Sequence, residues 1–103
     1  YSLSCGGPIV FPNSGSLVIT PVAPHNLSVR PIVVPDTSVI SFEIEGRADS
    51  FLCTLDSRFE AVTAEDKLTV RKAEVVTRFI QLHDYSFLRT LHDKLTWGKD
   101  SRN

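Results

Sequence analysis

The sequence is notable first for what it lacks. It has no methionine and only two cysteines, Cys5 and Cys53, in 103 residues. Two cysteines are too few for a disulfide scaffold, and their spacing is not that of a zinc site. Free thiols in a reducing compartment are expected, so the cytoplasm is the expected location. No apolar run approaches the roughly 18–20 residues that span a bilayer as a helix, so no membrane partner is expected. No charge of one sign dominates. Eleven Lys and Arg against twelve Asp and Glu leave a formal charge of -1, with no electrostatic reason to expect nucleic acid. No Gly-x-Gly-x-x-Gly or lysine-bearing phosphate loop is present, and no Gly-x-Ser-x-Gly elbow. His83-Asp84 and His92-Asp93 are the only suggestion of a metal. With no cysteine nearby they do not make a zinc site.

The chain also opens without an initiator Met, a basic segment or a signal-peptide apolar run. It enters directly on small and polar residues leading into Gly6-Gly7-Pro8, which creates the expectation of a truncated or processed parent. What remains is ordinary globular material. Hydrophobic residues make up 42% and charged residues 22%, which argues against disorder and allows one compact domain with a modest core.

Turn signals recur roughly every 8–12 residues, from Gly6-Gly7-Pro8 through Pro12–Gly15, Pro21–Pro24, Pro35-Asp36, Gly46–Ser50, Asp56-Ser57 and Ala64–Asp66. This is the rhythm of a sandwich or barrel. Ile40, Phe42 and Ile44 alternate with Ser41, Glu43 and Glu45, giving one buried and one wet face. Phe51, Cys53 and Leu55, and later Leu68 and Val70, alternate likewise. Leu17–Ile19 and Ile32–Val34 are continuous apolar runs and predict strands buried on both faces. About eight strands are expected. The pattern then changes. Phe87, Leu88, Leu91 and Leu95 form a helical stripe, with Asp84 or Ser86 to cap its start and Gly98 to end it. The expected fold is mainly β and β-sandwich-like over residues 1–83. One short amphipathic helix and a polar tail follow over 84–103.

Three segments are candidates for chemistry. In the first, Tyr1 offers a ring and a phenol, Ser4 a hydroxyl, and Gly6-Gly7 close backbone approach. An ordinary Gly-Gly-Pro turn fits the same residues, and spacing alone does not choose. In the second, the prolines of Thr20–Ser28 stiffen a loop around His25, whose bland role is structural. In the third, Asp56 sits in a hairpin turn where Asp usually satisfies its own backbone. Ser, His and Asp are all present, but nothing brings them into a hydrolytic triad. The carboxylates form no catalytic pair.

Tyr1–Val10 with Pro12, Ile19–Pro31, and the closing Arg78-Phe79, Phe87-Leu88-Arg89 and Lys94–Trp97 blocks together resemble the NAD kinase family. The resemblance spans nearly the whole chain. It implies a C-terminal β-sandwich-like domain that meets an N-terminal α/β domain across bound NAD. The activity implied is transfer of the γ-phosphoryl group of ATP, or of polyphosphate, to the 2′-hydroxyl of the NAD adenosine ribose. Mg²⁺ or another divalent cation would accompany ATP in the full-length enzyme, with none bound by this chain. The family's Gly-Gly-Asp-Gly-Thr motif, Asn-Glu pair and Thr-Pro-x-Gly-Ser-Thr-Ala run are absent here, so no catalytic residue is expected in this chain. By resemblance, Tyr1 and Ser4 line the adenosine pocket. Ala23 presents backbone near the nicotinamide end across a subunit interface, in a homodimer or homotetramer. Cys5 stands where Ala is usual, Phe11 where His is common, and Ser57-Arg58 where Gly and Gln usually follow the turn Asp. The helix stripe should be covered by the absent domain or a neighbouring chain. Two alternatives share the architecture: a non-catalytic β-sandwich interaction module and the C-terminal domain of a diacylglycerol-kinase-like lipid kinase.

Overall fold

The computed structural model describes residues 1–100 and 102. Ser101 and Asn103 of the expected polar tail lie outside the described residues. Six strands and one α-helix follow a short 3-10 turn at Leu3–Cys5: β1 (Ser16–Ile19), β2 (Ile32–Pro35), β3 (Ile40–Phe42), β4 (Phe51–Leu55), β5 (Arg58–Val62), β6 (Leu68–Val70) and α1 (Phe87–Leu95). The chain is mainly β with a single short C-terminal helix, as its turn rhythm predicts. The strands pair as β1-β2, β3-β6 and β4-β5. Two compact units result. One comprises Tyr1–Val34 with Glu74–Asn103, and the other is Pro35–Ala73.

The second unit is built from two antiparallel ladders. In β3-β6, Ile40 faces Val70 and Phe42 faces Leu68, with Ser41 opposite Thr69. These are β-branched and aromatic pairs suited to a pleated surface. The β4-β5 hairpin runs from Phe51↔Val62 to Leu55↔Arg58 and turns through Asp56-Ser57. Asp56 takes φ 53°, a left-handed conformation that Asp tolerates better than most residues. Gly46 makes room for a ring at the start of this hairpin. A Cβ there would lie 2.6 Å from the Phe51 side chain. Lys72 and Asp36 form an ion pair between the two ends of the unit.

In the first unit, α1 starts where its cap signal predicts. Ser86 is the N-cap, and its hydroxyl accepts the Arg89 amide at 3.3 Å. The helix stops earlier than Gly98. Thr96 turns left-handed at φ 55°, and the Trp97 amide donates to the Leu91 carbonyl at 3.4 Å. Arg89 pairs with Asp93 one turn on, at 3.7 Å on the exposed face.

Several expectations about packing are overturned. Six strands form rather than about eight. The run Val75–Leu82 has strong strand propensity but lies outside regular structure. Phe79 and Leu82 are exposed there, and Ile80 is 92% exposed. A strand without a partner leaves its backbone groups unpaired, so propensity alone does not make one. The predicted strand at Ile40–Ile44 ends at Phe42. β1 and β2 are not buried on both faces: every residue of β1 is half-buried, and Ile32 and Val33 are exposed. A two-stranded sheet has no second layer to cover it. The expected modest core is likewise missing. Among the described residues only Leu91 is buried, at 7% exposure. The accessible surface is 9793 Å², where a compact monomer of this mass exposes roughly 5,800 Å².

Two outcomes follow. Ser86→Ala should lose about 1 kcal/mol of helix stability, read as reduced helical circular dichroism. Thr63 donates both its amide, at 2.7 Å, and its hydroxyl, at 3.1 Å, to the Asp66 carboxylate. The Thr63 amide bond, and then the hydroxyl bond, hold the Asp66 pKa below its usual 3.8. A lowered pKa in the folded state stabilises the turn above 3.8, and that stabilisation is lost as pH falls through the lowered value. The Thr63 amide resonance should therefore titrate with a midpoint below pH 3.8.

Candidate functional site

The N-terminal segment is a tight, internally bonded turn. Ser2 opens the 3-10 turn, and its carbonyl accepts the amides of Cys5 at 3.1 Å and Gly7 at 2.7 Å. The two glycines have different tasks. Gly6 adopts φ 82°, which an L side chain resists. Gly7 clears space: a Cβ there would fall 2.0 Å from the Ser2 hydroxyl oxygen. That hydroxyl is thereby free to meet the Thr20 hydroxyl at 2.6 Å in a half-buried setting. Thr20 directly follows β1 and opens the proline loop. The first two candidate segments, eighteen residues apart at this contact, are thus tied side chain to side chain.

Tyr1 is 95% exposed, and Ser4 is exposed on the same turn. Both are free to meet a ligand, and neither is engaged in packing. Ala23 is exposed and held at φ 46°, a left-handed conformation that costs a non-glycine residue about 1–2 kcal/mol. Strain of this kind persists where the surroundings hold it, here between Pro21 and Pro24. Beyond Ala23 the loop is organised by Asn26, whose side-chain oxygen accepts the Ser28 amide at 2.9 Å and hydroxyl at 2.6 Å. Arg30 then donates to the carbonyls of Leu27 and Val29 at 2.6 and 2.9 Å. The bonds shaping the loop therefore run through Asn26, Ser28 and Arg30. His25 is exposed just ahead of them, between Pro24 and Asn26. Asp56 lies in the other unit, in its hairpin turn.

The turn rests on the C-terminal helix. Phe11 and Phe87 meet edge to face with ring centroids 4.8 Å apart. Ser2, Leu3, Ile9, Val18 and Leu91 are among the residues lining an open apolar pocket of about 300 Å³ beside that contact. Part of the inner face of α1 thus meets the chain's own N-terminal segment at Phe11–Phe87 and borders the open pocket. Leu88 and Leu95 stay exposed. The Ser2–Thr20 bond and the Phe11–Phe87 contact are absent from the sequence reading. The one available signal is that Phe11 stands where His is common in the resembling family.

Among the described residues no three His, Cys, Asp or Glu side chains cluster as a metal would require. His92 bonds to Asp93 at 3.0 Å on the exposed helix face, where Asp93 also pairs with Arg89, and the His92 bond above all lowers the Asp93 pKa. Among the described residues this donor set does not fit a metal site. Among the described residues no helix is long and apolar enough to cross a membrane.

Comparison with known proteins adds to this geometry. The family model for the ATP-NAD kinase C-terminal domain matches residues 1–82. The NAD kinase of Cytophaga hutchinsonii is 52% identical over all 103 residues, that of Flavobacterium psychrophilum 48% over all 103, and that of Bacteroides fragilis 43% over 102. Each alignment covers 35% of the relative, so the chain spans about a third of the length of the curated relatives it matches. With the match extending through both candidate segments and past the last strand, the chain belongs to the NAD kinase family.

Proposed function

We propose that this chain contributes one wall of the NAD site in an enzyme that phosphorylates the 2′-hydroxyl of the NAD adenosine ribose, with ATP or polyphosphate as donor. The observation that carries the reading is the linked pair of segments Tyr1–Gly7 and Thr20–Ala23, inside the span that matches the family. Tyr1 supplies an aromatic face and a phenol toward the adenosine, and Ser4 a hydroxyl. Ala23, strained and exposed, offers its backbone amide and carbonyl toward the nicotinamide end, reached from across a subunit boundary in a homodimer or homotetramer.

Phosphoryl transfer depends chiefly on positioning and on stabilising the charge that develops on the transferred group. The chain's role in that scheme is to bind and orient the acceptor. Residues that activate the 2′-hydroxyl and cradle the donor phosphates would belong to an N-terminal α/β domain, where Mg²⁺ bound with ATP would supply charge neutralisation. Residues 1–83 form the NAD-binding and assembly domain, and 84–103 the helix and tail that close it. The enzyme works in the cytoplasm. Its large exposed apolar surface, with Phe79 and Ile80 nearly bare, supports contact with further protein.

The purified 103-residue chain should form no NADP from NAD, ATP and Mg²⁺, and any turnover would overturn this division of labour. In the full-length enzyme, Tyr1→Ala should raise the KM for NAD by roughly tenfold or more with a smaller effect on kcat, as loss of ground-state binding predicts. An unchanged KM would remove Tyr1 from the pocket.

A further inference from the structure

Resting on the proposed NAD site, we infer that Ser2 and Thr20 are its positioning residues: their shared hydroxyl bond holds the adenosine-facing turn and the nicotinamide-facing loop in one register. Neither side chain needs to touch the dinucleotide. The turn faces the adenosine of one bound dinucleotide and the loop reaches the nicotinamide end of the one across the subunit boundary, so a fixed spacing sets both contributions of the chain beforehand.

Three features single out this bond. It joins two half-buried hydroxyls at 2.6 Å, the short end of the hydroxyl range, across eighteen residues of sequence. Both ends sit at the roots of the segments they would position. Ser2 lies between Tyr1 and Ser4, and its carbonyl anchors the turn through the Cys5 and Gly7 amides. Thr20 lies between the end of β1 and Pro21, whose ring fixes φ, so its placement propagates into the strained Ala23. Finally, the chain omits a side chain at Gly7, where a Cβ would collide with the Ser2 hydroxyl at 2.0 Å and with its carbonyl oxygen at 2.8 Å. Gly7 is in this sense a third member of the device. A methyl group there must displace the Ser2 hydroxyl and also presses on the Ser2 carbonyl that anchors the turn.

The test uses steady-state kinetics of the full-length enzyme with Thr20→Val, Thr20→Ser, Ser2→Ala and the Ser2→Ala/Thr20→Val double variant. Loss of one positioning hydrogen bond should raise the KM for NAD roughly three- to tenfold and leave kcat within about twofold. The double variant should be no worse than either single, because both delete one interaction. Thr20→Ser keeps the hydroxyl and should restore the parent KM, and Gly7→Ala should raise it at least as much as Ser2→Ala. Additive losses, an unchanged KM, or a Thr20→Ser as impaired as Thr20→Val would overturn the inference. The same variants of the full-length enzyme without NAD give an arm without ligand, in which Ser2→Ala should move the Ala23 amide resonance and Thr20→Val those of Tyr1–Gly7. If those resonances stay put, the coupling is refuted whatever the enzyme does. If they move and the full-length enzyme makes no NADP, the coupling stands as structure, and both the NAD-site reading and the positioning role fall.

Discussion

Everything in the first unit depends on how the two ends of the chain meet. Phe11 packs edge to face on Phe87, and Leu91 is the buried side chain beneath the N-terminal segment. That contact seats the Ser2–Gly7 turn. The Ser2–Thr20 bond then carries the placement across to the proline loop. Aromatic edge-to-face pairs contribute about 0.5–1.5 kcal/mol beyond area burial, and a hydrogen bond about as much, so the arrangement rests on a few small terms acting together. Few other side chains share the load, because among the described residues only Leu91 is buried.

The exposed apolar surface has a physical reading that agrees with the length comparison. An accessible area of 9793 Å² on 11.4 kDa leaves thousands of square ångströms uncovered, beyond what soluble monomers carry. The relatives are about three times as long. In the proposed enzyme, much of this surface is interior to the assembled protein. The strand-like run Val75–Leu82, with no partner in the described structure, fits that view. The same surface explains why the sequence pattern overstated burial. Leu17–Ile19 and Ile32–Val34 have the composition of fully covered strands, and they lie in a sheet of only two strands.

Local signals were therefore legible and long-range ones were not. Ser86 as a cap, Asp56-Ser57 as a hairpin turn and the shift from strand to helix period all follow from chemistry within a few residues, and all are present. Thr96 was unreadable as the helix end because a left-handed threonine is disfavoured, while Gly98 nearby carries the usual signal. At the candidate site, the adjacent glycines marked the turn but not its purpose. Only the fold brings the Ser2 hydroxyl to Thr20 and shows that Gly7 exists to admit it. Phe11 meeting Phe87 was invisible for the same reason: nothing in either neighbourhood names a partner 76 residues away.

The central claim is that the Tyr1–Gly7 turn and the Thr20–Ala23 loop act as one binding surface. It is tested most directly by titrating NAD into the full-length enzyme and following the backbone amide resonances of these residues. The account predicts that Tyr1–Gly7, Val22 and Ala23 shift together along one saturation curve, with the Phe51–Val62 hairpin unmoved. Shifts confined to one segment, two segments saturating at different concentrations, or no response at saturating NAD would contradict it.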